Sequence, residues 1–473
     1  MKTQDNIITD YADRSYISAP AATLHKLFIN KSKNSKSFNN SEWDKVYRWF
    51  REDEEYSEKL RILESASAFD LKAVKLKEET ATELFGEESV YSASRLNVYA
   101  MCPFSYFMKY GLDAKEQEIS KVAANDFGSY AHRFIQEFCY RVEEGANTPQ
   151  EKLAKWRQLS DLQRNECIDD ITNETKTKIK EFNLYDEEKR CNIIDRISKT
   201  VKGSAAVVHK SLKRGKYTAS GYEQEFEKIQ LSENVYITGA VDRVDSYVEN
   251  DREYIRIIDY KTGNTGFDIL NIYDGVNMQM VIYAVAVKKA QEELKNREVN
   301  LSGIFYNKLK NELVKSENAD TAKHEQIKSM RLDGVIFADE TEDGKIDMES
   351  LYAVDEDMKL SVEQKNAYKS DFVPMGMYKN GKITGGVHTE TEGKALMKHV
   401  TDKICNIDSS IKKGNIDVSP YEENSTSNAC KWCLFKEACV FERENTQMRK
   451  TKGTKEEAWK NIVREYKESE KNG

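Results

Sequence analysis

No stretch of this 473-residue chain approaches the apolar length needed to cross a bilayer. The opening MKTQDNIITD also lacks the apolar core of a secretory signal. Both absences point to a soluble protein of the cytoplasm, with no membrane partner. A global positive field is missing too: the formal net charge is −8, so any grip on nucleic acid must come from local basic patches. No GxxxxGK[ST] occurs, and Gly393-Lys394 lacks both the preceding glycine and the following Ser/Thr. That excludes a phosphate-binding loop of this type. The eight cysteines, without an export signal, argue for thiols or metal ligands over disulfides.

What is present concentrates in Gly239 to Gly263, GAVDRVDSYVENDREYIRIIDYKTG. Ala240–Val248 and Tyr254–Tyr260 are rich in β-branched and aromatic residues, and the polar run 249–253 predicts a turn between two strands. Asp242 lies in the first strand. Asp259 and Lys261 end the second, after the apolar Ile255, Ile257 and Ile258. A carboxylate in a buried strand is costly unless it is paired or binds a cation. The two-residue spacing puts Asp259 and Lys261 on one face. This pattern predicts a site where Asp242 and Asp259 hold Mg²⁺ or Mn²⁺, hard cations that prefer carboxylate oxygen, while Lys261 serves the attacking water.

Along the chain, residues 1–90 read as helical, with a start at Ser41 and Val46, Tyr47, Trp49 and Phe50 on an apolar face. Ser92 or Ser94 caps a short helix that Cys102-Pro103 interrupts. Asn125–Tyr140 reads as an amphipathic helix with Gly128 and His132 on one face. A charged helical region follows to Tyr217, with Trp156, Leu159, Leu162 and Ile168 as a core stripe. It ends in Lys210, Lys213, Arg214 and Lys216, a candidate phosphate contact whose plainer reading is a solvated helix end. The run 223–227 predicts a strand beside the hairpin, with Glu225 as a further ligand or base and Glu223 and Glu227 as alternatives. Gln279 and Tyr283, four apart on a helix, can point at one site or form a polar rim on a packed helix. Met375–Gly386 reads as a lysine- and glycine-bearing hairpin, and residues 442–473 as a charged helix or tail.

Cys430, Cys433 and Cys439 are one ligand short of a tetrahedral set. Cys102, followed by Pro103, is the fourth candidate. Iron–sulfur and zinc both fit four thiolates. Closing so long a loop is worth on the order of 5 kcal/mol on the loop-entropy model. The other cysteines, Cys139, Cys167, Cys191 and Cys405, read as free thiols.

The order His132, Glu225, Gly239-Ala240-Val241-Asp242-Arg243-Val244-Asp245, Asp259-Tyr260-Lys261, then Gln279 and Tyr283 resembles the RecB-family branch of PD-(D/E)XK nucleases. With the cysteines on either side, it is similar to the nuclease domain of the AddB family, the second subunits of AddAB helicase–nucleases. The resemblance covers Ser92–Phe441. It implies an α/β fold with a restriction-endonuclease-like core: a mixed central sheet flanked by helices, with large helical insertions. Residues 91–441 would be the nuclease domain, and 1–90 the end of a truncated helicase-like region. It further implies one [4Fe-4S] cluster on Cys102, Cys430, Cys433 and Cys439 stapling that domain, Asp242, Asp259 and Lys261 as the catalytic core, and His132 as a further metal ligand. The implied activity is an exonuclease on single-stranded DNA, of the 5′-ended strand, with an AddA-type partner in double-strand break repair by recombination. A stand-alone iron–sulfur nuclease of the CRISPR-associated kind and a non-catalytic DNA-binding scaffold are the alternatives. The intact acid–acid–lysine set argues against the scaffold.

Overall fold

The computed structural model describes residues 19–33, 41–67, 75–114, 124–178, 187–263, 265–309, 318, 325, 329–424, 427–439, 448–451 and 453–472. The chain divides into two compact units, Met1–Val74 and Lys75–Gly473. The first holds α1 (Pro20–Lys33), α2 (Ser41–Glu52) and α3 (Ser57–Ser67), packed through Leu24, Leu27, Trp43, Phe50 and Leu60. The helix start at Ser41 is as expected. Trp49, placed on the apolar face by sequence, is instead 47% exposed, because Trp43, Val46, Tyr47 and Phe50 already fill the buried stripe.

In the larger unit come α4 (Glu78–Phe85), β1 (Ser89–Ser92), α5 (Ala93–Met101), α6 (Pro103–Tyr106), α7 (Ala124–Glu143) and α8 (Pro149–Gln158). Next are α9 (Asp161–Lys178), α10 (Glu187–Lys213), β2 (Thr218–Ser232), β3 (Val235–Glu249), β4 (Arg252–Lys261), α11 (Ile269–Tyr273) and α12 (Gln279–Lys295). Then follow β5 (Val299–Lys308), β6 (Asp333–Ala338), α13 (Met348–Val354), α14 (Asp357–Glu363), β7 (Tyr368–Lys369), β8 (Met375–Met377) and β9 (Ile383–Gly385). The unit ends with β10 (Val387–Thr389), α15 (Glu390–Lys412), the short α16 (Lys436–Cys439) and α17 (Lys455–Asn472). No helix among the described residues is long and apolar enough to cross a membrane.

β3 organises the seven-stranded sheet. β2 runs antiparallel along one of its edges, pairing from Val235 to Ser246. β1, parallel to 235–238, and β4, antiparallel to 243–249, must therefore share the other edge. Between those two ladders Gly239 to Asp242 have no strand partner on that side, so the sheet forks. Beyond β4 lie β5 (parallel), β6 (antiparallel to β5) and β10 (parallel to β6), giving the expected mixed sheet. The expected hairpin is present, but its turn shrinks to Asn250 and Asp251. Both have positive φ (51° and 61°), which Asn and Asp tolerate and a two-residue turn matched to strand twist requires.

Helices cover both faces, which is why β4 and β5 are buried almost throughout. One core joins Val244, Ile257 and Ile304 to α12, α15 and α17. The other joins Ile258 and Phe305 to α7–α10. One expectation changes here. Trp156, Leu159 and Ile168 pack in this core as expected, but Leu162 is 68% exposed, because the break between α8 and α9 interrupts the stripe. Of the two readings of the charged C-terminal segment, helix or tail, the structure shows the helix, and it is packed: Ala458, Trp459 and Ile462 of α17 lie in the first core.

Candidate active site

The site sits at the fork. Asp242 occupies the first β3 position beyond the β4 ladder, where a backbone pair would come next. Its Oδ2 accepts the Tyr260 amide at 2.7 Å, so a side chain replaces a ladder bond and anchors the end of β4. Asp259, only 2% exposed, is fixed in the buried middle strand, and Lys261 Nζ lies 2.7 Å from its Oδ2. That oxygen makes no directed hydrogen bond among the described residues. It is a buried carboxylate oxygen whose close partner is the Lys261 ammonium, and a second lone pair on it suits a hard cation.

The two helical layers meet at this point. From α7, His132 Nδ1 lies 3.5 Å from Asp242 Oδ2. A Cβ added at Gly128, one turn earlier, would stand 3.5 Å from the Thr262 hydroxyl, so α7 runs close over the end of β4. From α12, Gln279 bridges: its Oε1 accepts from Lys261 Nζ at 3.3 Å, and its Nε2 donates to Asp259 Oδ1 at 3.5 Å and Tyr283 at 2.9 Å. Burial and the neighbouring Asp242 push Asp259 up to about 6, against the pull of Lys261 and His132. Burial alone would lower His132, but its hydrogen bond to Asp242 and the two nearby carboxylates leave it raised. Two carboxylates thus crowd here, with Lys261 and His132 as their neighbouring cationic groups.

Beneath the site lies a group that the sequence only half reveals. Arg243 and Asp245 are fully buried and ion-paired at 2.8 Å, and Arg243 donates to the Tyr260 hydroxyl at 3.0 Å. Arg256, hidden in the apolar run, joins Asp245 at 2.8 Å. A signal for it exists, since it stands directly opposite Asp245 in the β3–β4 register.

Not every candidate converges. Glu225 pairs opposite Ala240 in β2 but is exposed, and it makes no described contact with Asp242 or Asp259. The basic patch is largely spent on carboxylates. Lys210 and Arg214 hold Asp371, Arg214 also reaches Asp357 at 3.0 Å, and Lys216 pairs with Glu249 at 2.7 Å. Those three are therefore structural cations rather than open phosphate contacts.

The four candidate cysteines lie near one another. Burial pushes the Cys430 thiol up to about 11, with Cys102, Cys433 and Cys439 each adding to the rise. Burial also raises Cys102, against backbone hydrogen bonds from Ser105, Ser419 and Phe104. Arg449 donates to the carbonyl of Ala100 at 2.6 Å, tying the segment after the trio to the end of α5. Among the described residues, no three His, Cys, Asp or Glu side chains are drawn together tightly enough to hold a metal ion. The two candidate groups are thus neighbours, and neither forms a closed coordination shell among the described residues.

The segment 9–66 matches the model of the fifth domain of ATP-dependent helicase/deoxyribonuclease AddB. Among curated proteins, the chain is 27% identical over 487 residues to an ATP-dependent helicase/deoxyribonuclease subunit of Clostridium novyi (strain NT), covering 98% of this chain and 41% of that protein. Its identity to the same-named subunit of Clostridium kluyveri (strain NBRC 12016) is 27%, over 96% of this chain and 39% of the relative. Against the same-named protein of Acetivibrio thermocellus it is 26%, over 90% and 37%. The chain therefore spans about two fifths of the length of these relatives. All of the mixed sheet beyond Ser89, its fork and the carboxylates gathered there lie within residues 90–440, the stretch that matches the PD-(D/E)XK nuclease model, and the chain belongs to that superfamily.

Proposed function

We propose that this chain is a divalent-metal-dependent deoxyribonuclease that hydrolyses phosphodiester bonds of single-stranded DNA, as the nuclease part of an AddB-type subunit. The observation that carries this reading is the convergence of Asp242, Asp259 and Lys261 at the sheet fork, with the buried Asp259 carboxylate held against the Lys261 ammonium. Asp242 and Asp259 would hold Mg²⁺ or Mn²⁺, with His132 beside Asp242 as a further ligand. When bound, the cation supplies Lewis acidity toward a phosphate and acidifies water. Gln279, braced by Tyr283, fixes the Lys261 ammonium over the site, where it can orient water or meet charge growing on a phosphate oxygen. Without a cation both His132 and the Asp259 carboxyl are held above their ordinary values, so binding the metal would displace protons from them.

Cys102, Cys430, Cys433 and Cys439 are the donors for one [4Fe-4S] cluster. It would tie the end of α5 to the segment after α15. The wider role proposed with it, on the resemblance of the motifs, is action with an AddA-type partner in the cytoplasm, degradation of the 5′-ended strand, and double-strand break repair by homologous recombination.

Protein purified anaerobically should shorten an end-labelled single strand with Mg²⁺ and not in EDTA. Absence of cleavage by the native chain with either Mg²⁺ or Mn²⁺ overturns the proposed activity. The same preparation should carry the broad visible absorption of iron–thiolate ligation, and Cys433→Ser should lose it together with the bound iron. A colourless native protein with stoichiometric zinc would refute the cluster.

A further inference from the structure

The lysine- and glycine-bearing segment Met375–Gly386 folds into β8 and β9, which with β7 form a small antiparallel sheet. One face of it borders a cleft of about 480 Å³. Arg331 and Lys369 line that cleft with Tyr368 and Tyr378, and no acidic residue lines it. Tyr378 is 58% exposed, and Lys379 and Lys382 stand exposed at the hairpin turn beside it. None of the ion pairs among the described residues engages these four cations. The acid next in line, Asp371, is already neutralised by Lys210 and Arg214, and the two cations hold its carboxyl below the usual range despite burial. Part of the floor has no side chains: a Cβ at Gly376 would come within 2.9 Å of the Tyr368 carbonyl, and one at Gly385 within 2.1 Å of the Pro374 carbonyl. In a chain of net charge −8, an acid-free cleft with free cations and an exposed aromatic ring is a local exception.

Its place in the fold gives it meaning. Asp259 pairs across to Tyr306, and Tyr306 to Asp333, in one row over β4, β5 and β6. Asp333 is thus two strands from Asp259, on the order of 10 Å, and Arg331 lies two residues before it. The cleft opens at the same end of the sheet as the candidate active site. The groove beside α17, bordered by Lys460, Arg464 and Lys467, is at the other end. There Asp339, after β6, meets Tyr254 at the start of β4.

We propose that the cleft between Arg331, Lys369 and Tyr378 is a track for single-stranded nucleic acid leading to the carboxylates. Its cations contact backbone phosphates, and Tyr378 stacks on a base. Single strands suit it because bases and phosphates are both accessible, and every base offers a ring face to stack. The assignment rests on the nuclease reading for its substrate class, but its test does not depend on cleavage.

Anisotropy of a labelled oligothymidylate bound to the full chain in EDTA, over a salt series, separates the contributions. Tyr378→Ala, at an exposed hairpin tip, should weaken binding about tenfold. Arg331→Gln with Lys369→Gln should flatten the plot of log affinity against log salt by about 1.4, roughly 0.7 for each lost phosphate contact. Lys460→Ala with Arg464→Ala, on α17, should leave that slope as it is. Thermal melting of each variant reports whether it is folded. Native-like binding by a folded Tyr378→Ala variant, or a slope change equally large in the α17 variant, overturns the track. Oligonucleotide binding that passes these tests in a chain unable to cleave leaves the track standing and removes the nuclease reading. Cleavage with unaltered binding in the cleft variants does the reverse.

Discussion

Asp259→Ala should abolish metal-dependent cleavage of single-stranded DNA while leaving the fold in place. Asp259 is the point where every part of the site meets. Lys261 Nζ is 2.7 Å from one of its oxygens, Gln279 reaches the other, and Asp242 is held close by the Tyr260 amide. Removing it takes away a central carboxylate donor and frees Lys261 from its partner. A catalytic cation is worth several kcal/mol of transition-state stabilisation, and each ~1.4 kcal/mol is tenfold in rate. The expected loss is therefore on the order of 10³-fold or more. The fold should survive, because the buried carboxyl is itself a cost: burial and Asp242 hold it up to about 6. The measurement is turnover of an end-labelled single strand, with circular dichroism to confirm folding. Undiminished cleavage by a folded variant would sink the assignment.

The part of this site that is legible from sequence is the part fixed by local periodicity. Asp259 and Lys261 share a face because a strand alternates every second residue, and Gln279 and Tyr283 share one because a helix repeats every 3.6. Both pairs meet as that geometry dictates. Glu225 shows where periodicity stops being enough. Three acids alternate along 223–227, and which of them faces the site depends on pairing with β3, which shifts register on either side and carries a positive φ at Glu223. The basic run at the end of α10 misleads for a different reason. Its partners Asp371, Asp357 and Glu249 lie far along the chain, and only tertiary structure brings them in. For α17 the apolar trio Ala458, Trp459 and Ile462 is present in the sequence but outweighed by its charged neighbours.

Asp245→Ala should cause the largest loss of stability of any single substitution near the site. Two guanidinium groups, Arg243 and Arg256, share this one carboxylate, and all three residues are buried to within 1%. Burial works against the charge on both arginines. Asp245 outweighs it for Arg243, which is held well above its usual range. Arg256 also feels Arg243 and is held below. The Arg256 guanidinium finds some compensation over the Tyr217 ring, 4.4 Å away. Without Asp245 two cations would remain in the core with no anion, and breaking a buried pair in this way costs about 3–5 kcal/mol. The urea midpoint should fall accordingly with the slope of the transition unchanged. Asp245→Asn, which keeps the shape and one acceptor oxygen, should fall between the two. The effect should also reach the chemistry. Arg243 holds the Tyr260 hydroxyl, and Tyr260 is the residue between Asp259 and Lys261 whose amide binds Asp242. Cleavage by Asp245→Asn under conditions where it is fully folded should be slowed, whereas native stability and native turnover in Asp245→Ala would show that the buried group neither holds the fold nor positions the site.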